Sequence, residues 1–124
     1  MLYEAFNDTF ENVPVKVYRH DLTGKYIWAP MHWHRSLELF VSFEGRNHLN
    51  IGRDDFVFND TDWTIINSSE LHSARYYSST DRFKGLSLII SLPYIEKWIG
   101  KNVYLYNPSD PAVSKEIHHA AMAI

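Results

Sequence analysis

The chain has 124 residues, no cysteine, and a formal charge of −3 at neutral pH, with 12 Lys and Arg against 15 Asp and Glu. That length makes one domain with room for a core, and the composition excludes a disulfide framework, a thiolate metal site and a basic face able to grip nucleic acid unaided. No apolar run approaches the ~20 residues of a membrane span, and no basic segment followed by an apolar one opens the chain, which fits a cytoplasmic protein without membrane partners. Eight Tyr, seven Phe and four Trp stand beside only five Gly, a balance suited to a β-rich barrel with a lined interior.

Residues 1–12, with Asn7, Asp8, Glu11 and Asn12, read as a polar lead-in or arm. Residues 13–90 read as a barrel. Val15-Lys16-Val17-Tyr18 alternates as a strand does. Thr23-Gly24 is a turn before a short strand over 25–28. An apolar strand over 37–43 turns at Glu44-Gly45 into a strand over 46–51. Gly52-Arg53-Asp54 turns again into 55–58. Asn59-Asp60-Thr61-Asp62 is loop chemistry, and strands over 63–66, 71–77 and 83–90 follow, separated by Asn67-Ser68-Ser69 and a turn over 78–81. Short strands at this rhythm predict an all-β sandwich or barrel.

Residues 91–124 read as helical. Ser91 is a candidate cap, with Pro93 in the first turn, Gly100 after the end, and Leu92, Ile95 and Ile99 on one face. Asp110 and Pro111 open a second helix. Its apolar stripe of Val113, Ile117, Ala120, Ala121 and Ile124 is still running at Ile124, so a longer protein is expected.

The chemistry concentrates in His32-Trp33-His34-Arg35-Ser36-Leu37-Glu38, closed by Gly45, and in Glu70-Leu71-His72-Ser73. Alternation lets His32, His34 and Glu38 share one face, with His72 converging on them inside a small barrel. Imidazole nitrogen and carboxylate oxygen suit Zn, Fe, Mn, Ni or Cu. The other reading is polar lining of a ligand pocket. Both stay open at this stage, and the same four residues carry either one. If Glu38 points inward, so do Phe40 and Ser42; if His72 does, so do Ala74 and Tyr76. Tyr76 and Trp28 join the candidate pocket because their polar tips want partners when buried. His48 fits either face. His20 reads as a surface residue near a turn, and His118-His119 as a solvated helix face. Asp54, Asp55, Asp60 and Asp62 lack calcium-loop spacing and read as turn formers. Ser73 adjoins His72, so on a strand the two point to opposite faces. No Gly-x-Ser-x-Gly elbow is present, and no catalytic residue is assigned.

The stretch 31–98 resembles the cupin sensor domain at the N-terminus of AraC-type transcription regulators. The matching residues are His32-Trp33-His34, Leu37-Glu38-Leu39, Gly45, Asp62-Trp63-Thr64-Ile65-Ile66-Asn67 and Glu70-Leu71-His72-Ser73. Thr61 stands where that family usually has Gly, and Ser68 where it has Pro. Tyr26 occupies the spacing of an upstream Gly found in catalytic cupins, and their Pro-x-Gly is missing from the second motif. The resemblance implies a cupin double-stranded β-helix barrel, jelly-roll-like, followed by one or two helices. It further implies a small-molecule effector, a sugar being one candidate, and a homodimer formed through the helical segment. DNA would be bound only by a helix-turn-helix domain that lies outside this sequence. On that reading the chain is not an enzyme. The alternative is a stand-alone cupin metalloenzyme, an oxygenase or isomerase, with His32, His34, His72 and Glu38 as ligands.

Overall fold

The computed structural model describes residues 2–23, 28–76 and 82–124, and of Thr23, Trp28 and Tyr76 the backbone alone. A strand β1 (Leu2–Tyr3) and a 3-10 turn (Ala5–Asp8) precede the body of the fold. The body runs β2 (Val15–Thr23), β3 (Trp28–Trp33), β4 (Leu37–Glu44), β5 (Asn47–Ile51), β6 (Asp54–Phe58), β7 (Trp63–Ile66), β8 (His72–Tyr76) and β9 (Arg82–Ile90). Helices α1 (Leu92–Trp98) and α2 (Pro111–Met122) follow. The expected strand over 25–28 and the turns at Thr23-Gly24 and 78–81 fall largely outside the described residues.

The strands form two sheets, ordered β1-β3-β8-β5-β6 and β2-β9-β4-β7. Every body pairing is antiparallel, whereas β1 lies parallel to β3. The sheets face each other across a core to which both contribute. Phe40 and Phe83 come from one sheet, Leu49 and Phe58 from the other. The Phe40 and Phe83 rings stack with centroids 5.7 Å apart and planes 6° from parallel.

Alternation along β4 decides what each face does. Glu38, Phe40 and Ser42 form the inner row. Val41, with Leu39 and Phe43 beside it, packs outward with Leu86, Leu88 and Trp63 against Ile117 and Ala121 of α2. Trp63 Nε1 donates to Ser114 Oγ at 2.9 Å across the same contact. A strand covered on both faces accounts for the predominantly apolar run over 37–43, interrupted only by the inward Glu38 and Ser42. The predicted stripe of α2 is therefore divided. Ala121 is buried on the barrel and Val113 and Ile117 are half-buried, while Ala120 and Ile124 are exposed. Asp110 caps α2 as expected, its carboxylate accepting from the Ala112 amide at 2.9 Å. Ser91 precedes α1 but makes no side-chain cap bond, so that expectation is corrected. No helix among the described residues is long and apolar enough to cross a membrane.

Two turns show why residue type matters. Gly45 has φ +94°, and a Cβ there would lie 1.8 Å from the Arg82 carbonyl oxygen, so only Gly fits. Thr61 sits at φ +70°, a left-handed conformation that a β-branched residue adopts only under strain.

Candidate metal or ligand site

β3 and β8 pair with His32 directly opposite His72, which puts two imidazoles side by side. His34 follows just past β3, and Glu38 enters from the start of β4. Ring centroids lie 4.1 Å apart for His32 and His72, and 4.9 Å for His34 and His72. One ring nitrogen from each of His32, His34 and His72 falls within 4.8 Å of the others. The residues are 9%, 1% and 4% exposed.

Each imidazole is anchored the same way. His32 Nδ1 meets the Pro30 carbonyl at 2.6 Å, His34 Nδ1 the Ser36 carbonyl at 3.0 Å, and His72 Nδ1 the Glu70 carbonyl at 2.8 Å. A carbonyl oxygen can only accept, so in the neutral rings Nδ1 carries the proton and Nε2 presents a lone pair. Those lone pairs face carboxylates. Glu38 Oε1 is 3.3 Å from His34 Nε2 and 3.6 Å from His72 Nε2, and Glu4 Oε1 is 3.3 Å from His32 Nε2. Acceptors facing acceptors require a cation between them, a proton or a metal. His72 Nε2 is buried without a hydrogen-bond partner among the described residues. An orphaned imidazole nitrogen beside two more and a carboxylate fits a divalent ion that takes nitrogen and oxygen ligands. The backbone carbonyls behind the rings supply the outer support that orients such ligands.

The electrostatics agree with a site that wants positive charge. Burial pushes the Glu38 carboxyl up, but hydrogen bonds and charge from His34 and His72 outweigh it and hold the group well below the usual carboxylate range. Burial pulls His34 down, yet Glu38 and the Ser36 carbonyl raise it on balance. His32 is lowered by burial and by the neighbouring His72. Glu38 Oε2 accepts from Ser87 Oγ at 3.0 Å, and Ser87 Oγ lies 2.9 Å from His20 Nε2. Since Ser87 donates to Glu38, its oxygen accepts from His20 Nε2–H.

The N-terminal residues close the cluster. β1 aligns Leu2 with His32 and Tyr3 with Trp33, which brings Glu4 to His32. The Asp8 carboxylate accepts from the Arg35 and Ser36 amides, each at 2.8 Å. Ser36 Oγ donates to the Asn7 carbonyl at 3.0 Å and accepts from His34 Nδ1 at 2.9 Å. A broader groove of about 700 Å³ runs between Thr61 and the Ser114, His118 and Met122 side of α2, on the outside of the barrel and away from this chemistry.

Of the six residues singled out for the site, His32, His34, Glu38 and His72 come together. The side chains of Trp28 and Tyr76 lie outside the described residues. His48 faces outward, bonded to Asp55 at 2.7 Å and approached by Arg75. Asp55 is thus a strand residue holding a histidine rather than a turn former. Asp60 and Asp62 do shape turns, accepting from the Gly45 and Asn59 amides at 2.7 Å. His118 is not a freely solvated residue, because its ring packs edge-on against Phe43 at 5.4 Å. His20 is the clearest correction. β2 runs on to Thr23, so alternation carries His20 inside, about 6 Å from both Phe40 and Phe83. Reasoning from the sequence also missed Glu4, Ser36 and Ser87, whose roles come from contacts with distant residues. The spacing Tyr18, His20, Leu22 was the one available signal for His20.

No protein-family model matches the chain, and no curated protein does. Solved structures do. The chain is similar to a cupin protein of Bacteroides fragilis at TM-score 0.58 and 16% identity, covering 75% of this chain and 80% of that one. It is similar to the cupin domain of Cnp3 from Schizosaccharomyces pombe at TM-score 0.58 and 8% identity, covering 72% and 65%. It is also similar to DMSP lyase DddQ of Ruegeria pomeroyi at TM-score 0.55 and 19% identity, covering 64% and 39%. At such identities the likeness is one of fold, and it agrees with the two facing sheets and the inward histidines: the chain folds as a cupin double-stranded β-helix barrel with helices after its last strand.

Proposed function

We propose that this cupin is the small-molecule-sensing domain of an AraC-type transcription regulator, and that His32, His34, His72 and Glu38 hold a divalent metal ion within it. The observation that carries this reading is a cluster at once complete and closed. Three anchored imidazoles and a carboxylate converge, and Glu4 of the N-terminal arm stands against His32. A catalytic ion keeps a position open to substrate; a buried and covered set of ligands suits sensing or structure better. When bound, the ion would neutralise the Glu38 carboxylate and tie β3, β8 and the start of β4 together. The protein's own residues do the rest. The carbonyls of Pro30, Ser36 and Glu70 hold the rings, Ser87 holds the second Glu38 oxygen, and the arm excludes water.

The barrel wall offers a route outward. β4 and β9 carry Glu38, Phe40 and Ser87 on the inside, and Val41, Leu86 and Leu88 on the outside against α2. A ligand that favours one arrangement of those strands would bias α2, which is all a two-state sensor needs. The exposed Ala120 and Met122 on α2, Ile124 just past its end and Trp98 on α1 are the surface through which a homodimer would form. DNA would be contacted by a further domain.

Two measurements test this. Calorimetric titration of the chain with Mn²⁺ or Zn²⁺ should give one equivalent bound, lost in His72→Ala; no uptake would overturn the metal assignment. The reading frame past the Ile124 codon should continue into a basic segment with two helix-turn-helix patterns, and an immediate stop would overturn the regulator assignment. A stand-alone metalloenzyme draws on the same donor set, and would then become the leading reading.

A further inference from the structure

Below the histidine cluster, the barrel interior is not filled. A cavity of about 160 Å³ lies between the sheets, lined by His20, Leu22, Phe40, Asn47, Ala74 and Phe83. A volume of this size accepts one benzene-sized ring. Its walls are mainly aliphatic and aromatic carbon, with Phe40 and Phe83 stacked in parallel. Arg75 borders it too, but Nε and Nη2 of its guanidinium are engaged by His48 on the outer face.

Among the described residues, one polar atom of the lining stands without a partner. Asn47 is 3% exposed, and its Oδ1 is buried without a hydrogen-bond partner among the described residues. A buried acceptor left unpaired is costly, and natural interiors rarely tolerate one without a reason. On β5, Asn47 alternates with Leu49 and Ile51 on the inner row, where an apolar side chain would serve packing better. The second polar contact is His20, whose Nε2 is already engaged by Ser87.

We infer that this cavity binds a molecule of one six-membered ring bearing a single hydrogen-bond donor, of the phenol class, which gives its hydroxyl proton to Asn47 Oδ1 and packs its ring against the stacked pair of Phe40 and Phe83. A sugar is the wrong chemistry for the cavity. Most of its hydroxyls would face carbon, and each would lose water without gaining a partner. A phenol leaves nothing unpaired and satisfies the orphan. Through His20, such a ligand touches the hydrogen-bonded chain His20–Ser87–Glu38 that ends in the histidine cluster. The inference deepens the sensing role proposed above and rests on it for its purpose, though binding itself does not depend on a metal.

The test uses the whole chain, with phenol and benzene as probes, followed by calorimetry and by NMR shifts of the Ala74 methyl and the Asn47 side-chain amide. Phenol should bind saturably and about tenfold or more tighter than benzene, the scale of one buried hydrogen bond. Asn47→Leu should remove that preference while retaining benzene binding. A second variant, Ala74→Leu, fills the cavity and should abolish binding of both probes. Equal affinity for phenol and benzene, phenol binding unchanged in Asn47→Leu, or no binding of either probe would each overturn the inference. Mn²⁺ uptake measured on the same samples separates the two proposals. Uptake without phenol binding overturns the cavity assignment alone, and phenol binding without uptake overturns the metal assignment alone.

Discussion

The two ends of the barrel interior are built from the same strands and differ in almost every other respect. At one end His32, His34, His72 and Glu38 crowd together, with each imidazole pinned by a carbonyl and Glu4 of the arm standing against His32. At the other end Phe40, Phe58, Phe83 and Leu49 pack as a core and still leave an unfilled volume. Polar groups at the first end are held by directional bonds, so their geometry is set before any ion arrives and little reorganisation is needed. At the second end shape is set by packing, and a guest has only to fit. Strands β4 and β9 carry both ends, with Glu38 and Phe40 two residues apart on one and Ser87 and Phe83 on the other. A single inward row therefore becomes a charge site or an apolar site according to which side chain occupies it.

If the ends are separable, damage to one should spare the other. Phe83→Ala removes the aromatic wall of the cavity and should cost about 3–5 kcal/mol of stability in urea unfolding, while the folded fraction keeps its metal affinity. A parallel loss of metal affinity would show that the ends act as one unit. His34→Ala does the reverse. It should lower metal affinity by about a hundredfold or more, above the cost of losing an outer support, and leave phenol binding intact by calorimetry. Ser36→Ala asks how much the support is worth. It removes the hydroxyl that links His34 Nδ1 to the Asn7 carbonyl, and metal affinity should fall about tenfold with no effect on the cavity.

The smallest expected effect is the pH dependence of arm docking. Burial works to raise the Asp8 carboxyl, but the Arg35 and Ser36 amides and the Tyr3 hydroxyl outweigh it and hold it below its ordinary value. A group whose folded value is depressed contributes stability above the unfolded value, near ~3.9 for Asp, and loses it as pH falls through the folded one. Asp8 is partly exposed, so the contribution is below about 1 kcal/mol. Trp33 fluorescence and limited proteolysis should report arm release on acidification below about pH 4, and Asp8→Asn should lack that component. Identical pH profiles for the two proteins would mean that the arm is held by other contacts.

Much of this was readable along the chain because its causes are local. The strand rhythm from residue 37 to 90 follows from period-two alternation and turn residues, and β4, β5, β6, β7 and β9 appear within one residue of expectation. Asp110 and Pro111 mark a helix start through chemistry that acts over one turn. The His-x-His run and the later Glu-x-His pointed to side chains that the fold brings together, because β3 and β8 pair His32 with His72 and the chain past β3 carries His34 and Glu38 to the same place. His20 was misplaced for a different reason. A charged, mixed segment such as Tyr18-Arg19-His20-Asp21 carries no clear pattern, and only its pairing along the full length of β9 keeps it extended and turns the imidazole inward.

What the sequence determined by itself is the order of the strands along the chain, the inner and outer rows of β4, and which four polar residues are candidates for one site, since each depends on neighbours a few positions away. What only the tertiary structure decided is how those residues are held and what lies beside them. The tautomers follow from carbonyls whose direction depends on the bend of the chain, and the arm's closure joins Asp8 to an amide 28 residues on. His20 meets Ser87 across 67 residues, and the cavity beside Asn47 exists because two sheets close without filling the space between them. Such contacts are set by register and barrel closure, which no short window of sequence contains.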